Sequence, residues 1–232
     1  NGIKPWGLQP DPIAADGNLF FRGFFNLLLS TYSYVSGDDK WERPFKVTGY
    51  NNRLFDWTQH SITGFIENQW AERPQGPHCE NTKIWPYCLS AAGLSLQLHD
   101  KVFSTSTHWV YDQWVDYAKK HFVKRSRGGN IESFAFYYDP IEKMAYAMSD
   151  KLAGYGTLAP LFYLYPQAPE FGRELYESGI QQLGWNSRKD NFVQPIDDPR
   201  WLSLVLMLSR ELGDVTTEQR LSSVAEREFG LN

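Results

Sequence analysis

Residues 85–122 read WPYCLSAAGLSLQLHDKVFSTSTHWVYDQWVDYAKKHF, and their spacing decides the class of fold. Tyr111, Trp114, Val115, Ala118 and Phe122 recur three and four residues apart, which makes them the apolar stripe of one helix. Ahead of that stripe, Trp85–Pro86 opens another helix, because proline suits a first turn whose N–H groups have no helical partner anyway. This helix runs through the small residues Ser90–Ala91–Ala92–Gly93 toward His99.

Working outward, residues 1–18 are rich in Pro and Gly and predict an extended leading segment. Phe20, Phe24, Leu27, Leu28 and Thr31 then fall on one helical face, and Ser36–Gly37 ends that helix with a residue suited to a left-handed cap. A second helix is expected over about residues 51–70, followed by a loop carrying Pro74, Gly76 and Pro77. Over 133–148 the period changes. Phe134, Phe136 and Tyr138 alternate with their neighbours, Asp139–Pro140 makes a turn, and Met144, Tyr146 and Met148 alternate again, so one β-hairpin is expected, with Met144 and Met148 in the core. Helical pattern resumes near Leu152, breaks at Pro166 and Pro169, and continues over 170–183. Pro199 opens a further helix with Trp201, Leu204, Val205, Leu208 and Leu212 inward and Gly213 closing it. Thr216 and Gln219 read as a capping box for the last helix. No heptad is sustained and no repeat is evident, so the expectation is an all-α fold: an antiparallel array or α/α barrel with one hairpin.

Composition narrows the function. Aromatic residues make up 16% of the 232, including 9 Trp, 13 Tyr and 15 Phe, a supply that suits a pocket for an apolar guest. The net charge is −4 with both signs mixed, and no basic stripe of the kind nucleic acid requires is present. The densest basic run, from Lys119–Lys120–His121 to Lys124–Arg125 and Arg127, reads as a cationic helix end before the Gly128–Gly129 turn. No run reaches the ~20 apolar residues of a membrane span. The chain starts at Asn1 with neither an initiator methionine nor a signal-peptide pattern, so a processed or longer polypeptide is expected.

The two cysteines, Cys79 and Cys88, lie nine apart in His78–Cys79–Glu80 to Trp85–Pro86–Tyr87–Cys88. Cys88 falls in the first turn of its helix, where the dipole favours a thiolate, and a modest fall in its pKa makes it a usable base. Four readings stay open from the residues alone: a disulfide, two inert buried thiols, a reactive pair, and half a metal site of non-standard spacing. His78 abuts Cys79 and is the better histidine candidate. His99 lies ~16 Å along the helix from Cys88 and cannot be its proton partner, while His60, His108 and His121 have no distinguishing neighbours in the sequence.

At Cys79–Glu80 and Cys88 the chain resembles the linalool dehydratase/isomerase family, whose active-site segment has a Cys–Glu and a second Cys at the same spacing. The likeness extends to Arg22–Gly23, Asn26–Leu27 and Val35–Ser36–Gly37. It continues from Gly154–Tyr155 through Pro169–Glu170–Phe171, and reaches Arg210–Glu211–Leu212–Gly213–Asp214. The resemblance implies an α/α barrel spanning 1–232 as a single domain, incomplete in this chain and belonging to a longer polypeptide or completed by another chain. It also implies a homo-oligomer and acid/base chemistry without cofactor or metal on a small hydrophobic substrate, an allylic isoprenoid-type alcohol. Cys79, Cys88 and Tyr155 carry over as catalytic residues. Phe20, Phe24, His78, Glu80, Trp85 and Tyr87 are expected around the substrate. Phe24 stands where the family has a pocket histidine, and the family's catalytic aspartate lies upstream of Asn1. Two other activities remain open: cyclisation or double-bond isomerisation of a larger lipophilic molecule, and a non-catalytic module that binds a hydrophobic ligand or partner.

Overall fold

The computed structural model describes residues 3–4, 7–80, 82–149, 152–185 and 198–230. Strands β1 (Ile3–Lys4) and β2 (Gly7–Leu8) precede helix α1 (Leu19–Ser36), and β3 (Phe45–Thr48) with β4 (Leu54–Trp57) follows it. Three helices come next: α2 (Gln59–Ala71), α3 (Pro86–Phe103) and α4 (Trp109–His121). The hairpins β5 (Val123–Arg125) with β6 (Ile131–Phe134) and β7 (Tyr137–Asp139) with β8 (Met144–Tyr146) lead to α5 (Ala153–Leu158) and α6 (Leu161–Leu164). The chain ends in α7 (Pro169–Leu183), α8 (Pro199–Leu212) and α9 (Val215–Phe229). The fold is mostly helical, and one hydrophobic cluster runs from Ile13 to Ala225.

Local chemistry sets the boundaries. Pro86, Pro169 and Pro199 stand in the first turns of α3, α7 and α8. Gly37 and Gly213 end α1 and α8 in the left-handed region, with φ of 65° and 74°. The α4 stripe is as expected: Tyr111, Trp114, Val115, Ala118 and Phe122 are all buried. Gly93 lets α4 approach α3, since a methyl group there would stand 2.2 Å from the Tyr111 ring.

Several expectations are corrected. In α1 the face of Phe20, Phe24, Leu27, Leu28 and Thr31 is not the fully buried one, though Phe24 packs against the core from its edge. The buried face is Leu19, Arg22, Gly23, Asn26, Leu29, Ser30 and Ser33, with Leu28 65% exposed, because buried partners on α2 and α3 satisfy the polar side chains. The second helix begins at Gln59, where Thr58 and Ser61 form a reciprocal capping box. Residues 45–57 pair as an antiparallel hairpin instead, turned by Asn51 and Asn52 at φ of 55° and 56°. Four two-stranded hairpins, not one, are present among the described residues. The expected 133–148 hairpin keeps its Asp139–Pro140 turn, but Phe134 pairs back with Val123, so Lys124–Arg125 is strand and not helix end. Met144 is 51% exposed, outside the core. The break after Leu158 comes at Ala159–Pro160, ahead of Pro166. On α8, Trp201 and Leu204 are half-buried, beside the fully inward Leu202, Val205, Leu208 and Leu212. Asp214, accepting the Thr217 N–H at 3.0 Å, caps α9 in place of the Thr216–Gln219 box.

Candidate active site

The loop before α3 is pinned on two sides. The carbonyls of His78 and Cys79 accept the N–H groups of Leu19 (3.2 Å) and Phe20 (3.4 Å), the first of α1, which a helix cannot satisfy internally. Ile84 and Tyr138 exchange two backbone hydrogen bonds of 2.9 and 2.8 Å, so the loop lies against β7. Between these anchors the Cys79 N–H donates to the Lys83 carbonyl at 2.8 Å. The Lys83 ammonium pairs with Asp139, and this hydrogen bond holds the Asp139 carboxyl below its usual range despite the opposing cost of burial.

This anchoring brings the two thiols together. Both are free and buried. The Cys79 sulfur accepts the backbone N–H of Trp85 at 3.3 Å, and Trp85 is the N-cap of α3, so Cys79 joins Cys88, in the first turn, at the positive end of the helix. Cys88 is hydrogen-bonded to Cys79, and its pKa is driven strongly upward, first by that bond, then by burial and by the charges of Cys79 and Glu80. The expected fall in the Cys88 pKa is therefore reversed. Cys88 thus holds its proton more firmly than an ordinary thiol.

Cys88 lines a cavity of about 350 Å³. Phe20, Trp85, Tyr87 and Phe136 form its aromatic walls, with Trp85 and Phe136 in edge contact at 4.9 Å. Ala135, Gly156, Ala159 and Pro160 form the small-residue side, and Glu80 adds a carboxylate at the edge. Gly156 is needed there: a methyl group would meet the Met148 side chain at 2.8 Å. The Trp85 indole N–H is buried and has no acceptor among the described residues.

Five of the sequence-predicted residues thus share the cavity: Phe20, Glu80, Trp85, Tyr87 and Cys88. Cys79 touches it through Cys88. Phe24 stands one layer back, its ring 5.3 Å from Phe20 and 5.8 Å from Tyr87. His78 is half-buried, and its charge acts on Asp16. Tyr155 is buried beside the cavity residue Gly156, stacked on Trp201 at 4.7 Å. Phe136 and the small residues 135, 156, 159 and 160 had no distinguishing signal in sequence, since small side chains mark a wall only once the opposite wall is known.

A second cluster was not legible either. His99, buried on α3, meets His60 of α2 through a 2.9 Å Nε2···Nδ1 hydrogen bond, and its other ring nitrogen lies 2.9 Å from Thr105 Oγ1. Burial, then the His60 charge, brings the His99 pKa down to about 4. His60 also faces Glu42 at 3.6 Å. Among the described residues no group of three or more His, Cys, Asp or Glu has metal-holding geometry, and no helix is long and apolar enough to cross a membrane.

Compared with known families, the chain matches the family model described as linalool dehydratase/isomerase over residues 3–232.

Proposed function

The chain belongs to the linalool dehydratase/isomerase family, and from that premise we propose that it dehydrates or isomerises a hydrophobic allylic alcohol of isoprenoid type by acid/base chemistry carried on the two thiols. The helices are proposed to form part of an α/α barrel, in a homo-oligomer or with a complementing chain. The observation that carries the chemical reading is the contact of two buried free thiols, one of which lines an aromatic-walled cavity.

The roles follow from electrostatics. Cys88, which retains its proton, is the acid. It protonates the departing hydroxyl, the C–O bond breaks with its electron pair leaving on water, and an allylic cation remains. The faces of Phe20, Trp85 and Tyr87 supply the negative π density that stabilises such a cation in a dry site. Cys79 is the base. Its thiolate takes a proton from the carbon next to the cation, and the C–H electrons close the new double bond. The proton then returns to Cys88 along the hydrogen bond between the sulfurs. In isomerisation, water adds instead to the other allylic carbon and gives its proton back. Tyr155 is assigned as hydrogen-bond donor to the oxygen, and the Trp85 indole N–H, which has no acceptor among the described residues, is a further donor.

Conversion of linalool to the triene formed by loss of water, followed by gas chromatography, tests this. Cys79→Ala and Cys88→Ala should each lower turnover by ~10²–10⁴-fold with folding retained. Full activity in either folded variant ends the thiol mechanism.

A further inference from the structure

Beside the thiol cavity lies a second hollow of about 610 Å³, walled by α6 and α8. The two share Tyr87 and Ala159, so they adjoin along those side chains. The partition is one aromatic ring. Tyr87 is 36% exposed, its ring lies 5.3 Å from Tyr163, and Tyr163 belongs to the second hollow alone.

The walls of this hollow are hydrocarbon: Phe162, Trp201, Leu204 and Met207, none of them fully buried. On α8, the half-buried Trp201 and Leu204 pack against the edge of the core, and together with the exposed Met207 they line the hollow. The charged residue on its edge, Arg200, is engaged by Asp198 through hydrogen bonds of 2.7 to 3.2 Å. It holds no thiol and no carboxylate. Its lining suits a hydrocarbon chain, with the Tyr163 and Ser203 hydroxyls among the remaining polar groups.

We propose that this hollow is a tail subsite, and that the substrate is an acyclic isoprenoid alcohol at least one isoprene unit longer than a monoterpene alcohol. Its allylic end lies at Cys88, and its chain passes Tyr87 and Ala159 to reach Trp201. The assignment of which end lies at Cys88 rests on the thiol cavity being the reacting site. The occupancy of the hollow is read by binding, without turnover.

Calorimetric titration of the intact protein with geraniol and with farnesol is the test. An added isoprene unit buries several methylene equivalents, so farnesol should bind ~10-fold or more tightly. Met207→Trp and Ser203→Trp, at exposed positions on the wall, fill the hollow and should bring the two affinities together. Equal affinities in the unaltered protein overturn the subsite. So does a farnesol preference that both folded variants leave intact, because that is partitioning onto general apolar surface. A preference abolished by the variants supports the subsite even where neither alcohol is dehydrated, a result that would remove the proposed reaction instead. Turnover of geraniol with no preference for farnesol does the converse.

Discussion

Two buried regions on either side of α1 are built on opposite terms. Under α1 runs a polar seam: Arg22, Asn26, Ser30 and Ser33 all point inward. Asn26 donates to Thr63 Oγ1 at 3.1 Å and Ser95 Oγ at 2.9 Å, and Ser33 donates to Gln59 at 2.8 Å. Arg22 reaches the carbonyls of Ile13 (3.0 Å) and Ala15 (2.7 Å) and the Gln69 side chain. At the N-terminal end of the same helix, the thiol cavity is walled by aromatic rings and small residues, and of its two free thiols Cys79 meets the backbone of Pro77 and Trp85 through its sulfur. A buried polar group with its partners in place locks one helix register, because every alternative leaves donors unsatisfied. Sulfur is a weak donor and acceptor, so the thiols impose little of that constraint and leave their protons available. The seam holds the fold, and the cavity is free to react.

Substitutions should separate the two. Arg22→Ala has the largest expected effect. It strips donors from two buried carbonyls and empties a fully buried site, so a loss of ~3–5 kcal/mol is expected in urea unfolding. A loss below ~1 kcal/mol would break the contrast. Asn26→Ala, which leaves Thr63 and Ser95 without their shared partner, should cost about 2–3 kcal/mol by the same measurement.

Acid should weaken the α2–α3 contact. His99 is neutral in the fold down to about 4, whereas in the unfolded chain it takes up its proton near the ordinary histidine value. Between these values the unfolded state binds more protons, so stability is full above ~6.5 and declines as pH falls toward 4. His99→Gln should flatten that slope in the melting temperature. Asp100, which lies near His99, opposes the effect by favouring the charged His99 ring, and substituting it should steepen the slope. The smallest change in stability belongs to the cavity. Phe20→Ala, at a ring 48% exposed, should move the midpoint by less than ~1 kcal/mol while raising KM for an allylic alcohol. An equal loss from Phe20 and Arg22 variants would erase the distinction between the regions.

The legible parts of the fold were those where one periodicity was unopposed. The α4 stripe, the prolines opening α3 and α8, and the glycines closing α1 and α8 all depend on neighbours within a turn or two. The inward face of α1 does not follow its apolar spacing. Its inward stripe is polar, and a buried Asn26 is tolerable only where Thr63 and Ser95, 37 and 69 residues away, arrive to bond it. The hairpin over 45–57 was masked by a helix-like pattern, and the pairing of Phe134 with Val123 needed knowledge of where α4 ends. In the candidate site, the cysteine pair and its aromatic neighbours stood out in the sequence. The small wall at 135, 156, 159 and 160 did not.

By itself the sequence determined a mostly helical chain, its principal helix boundaries and a likeness to one enzyme family on the Cys79–Cys88 segment. These rest on short-range rules: backbone hydrogen bonds close within four residues, and caps act within one turn. Only the tertiary structure decided that Cys79 joins Cys88 at the helix end and that Cys88 holds its proton firmly. It alone placed Tyr87 between two hollows. Such outcomes depend on burial and on charges brought near by the chain's return, and electrostatic energy follows distance in space rather than separation along the sequence.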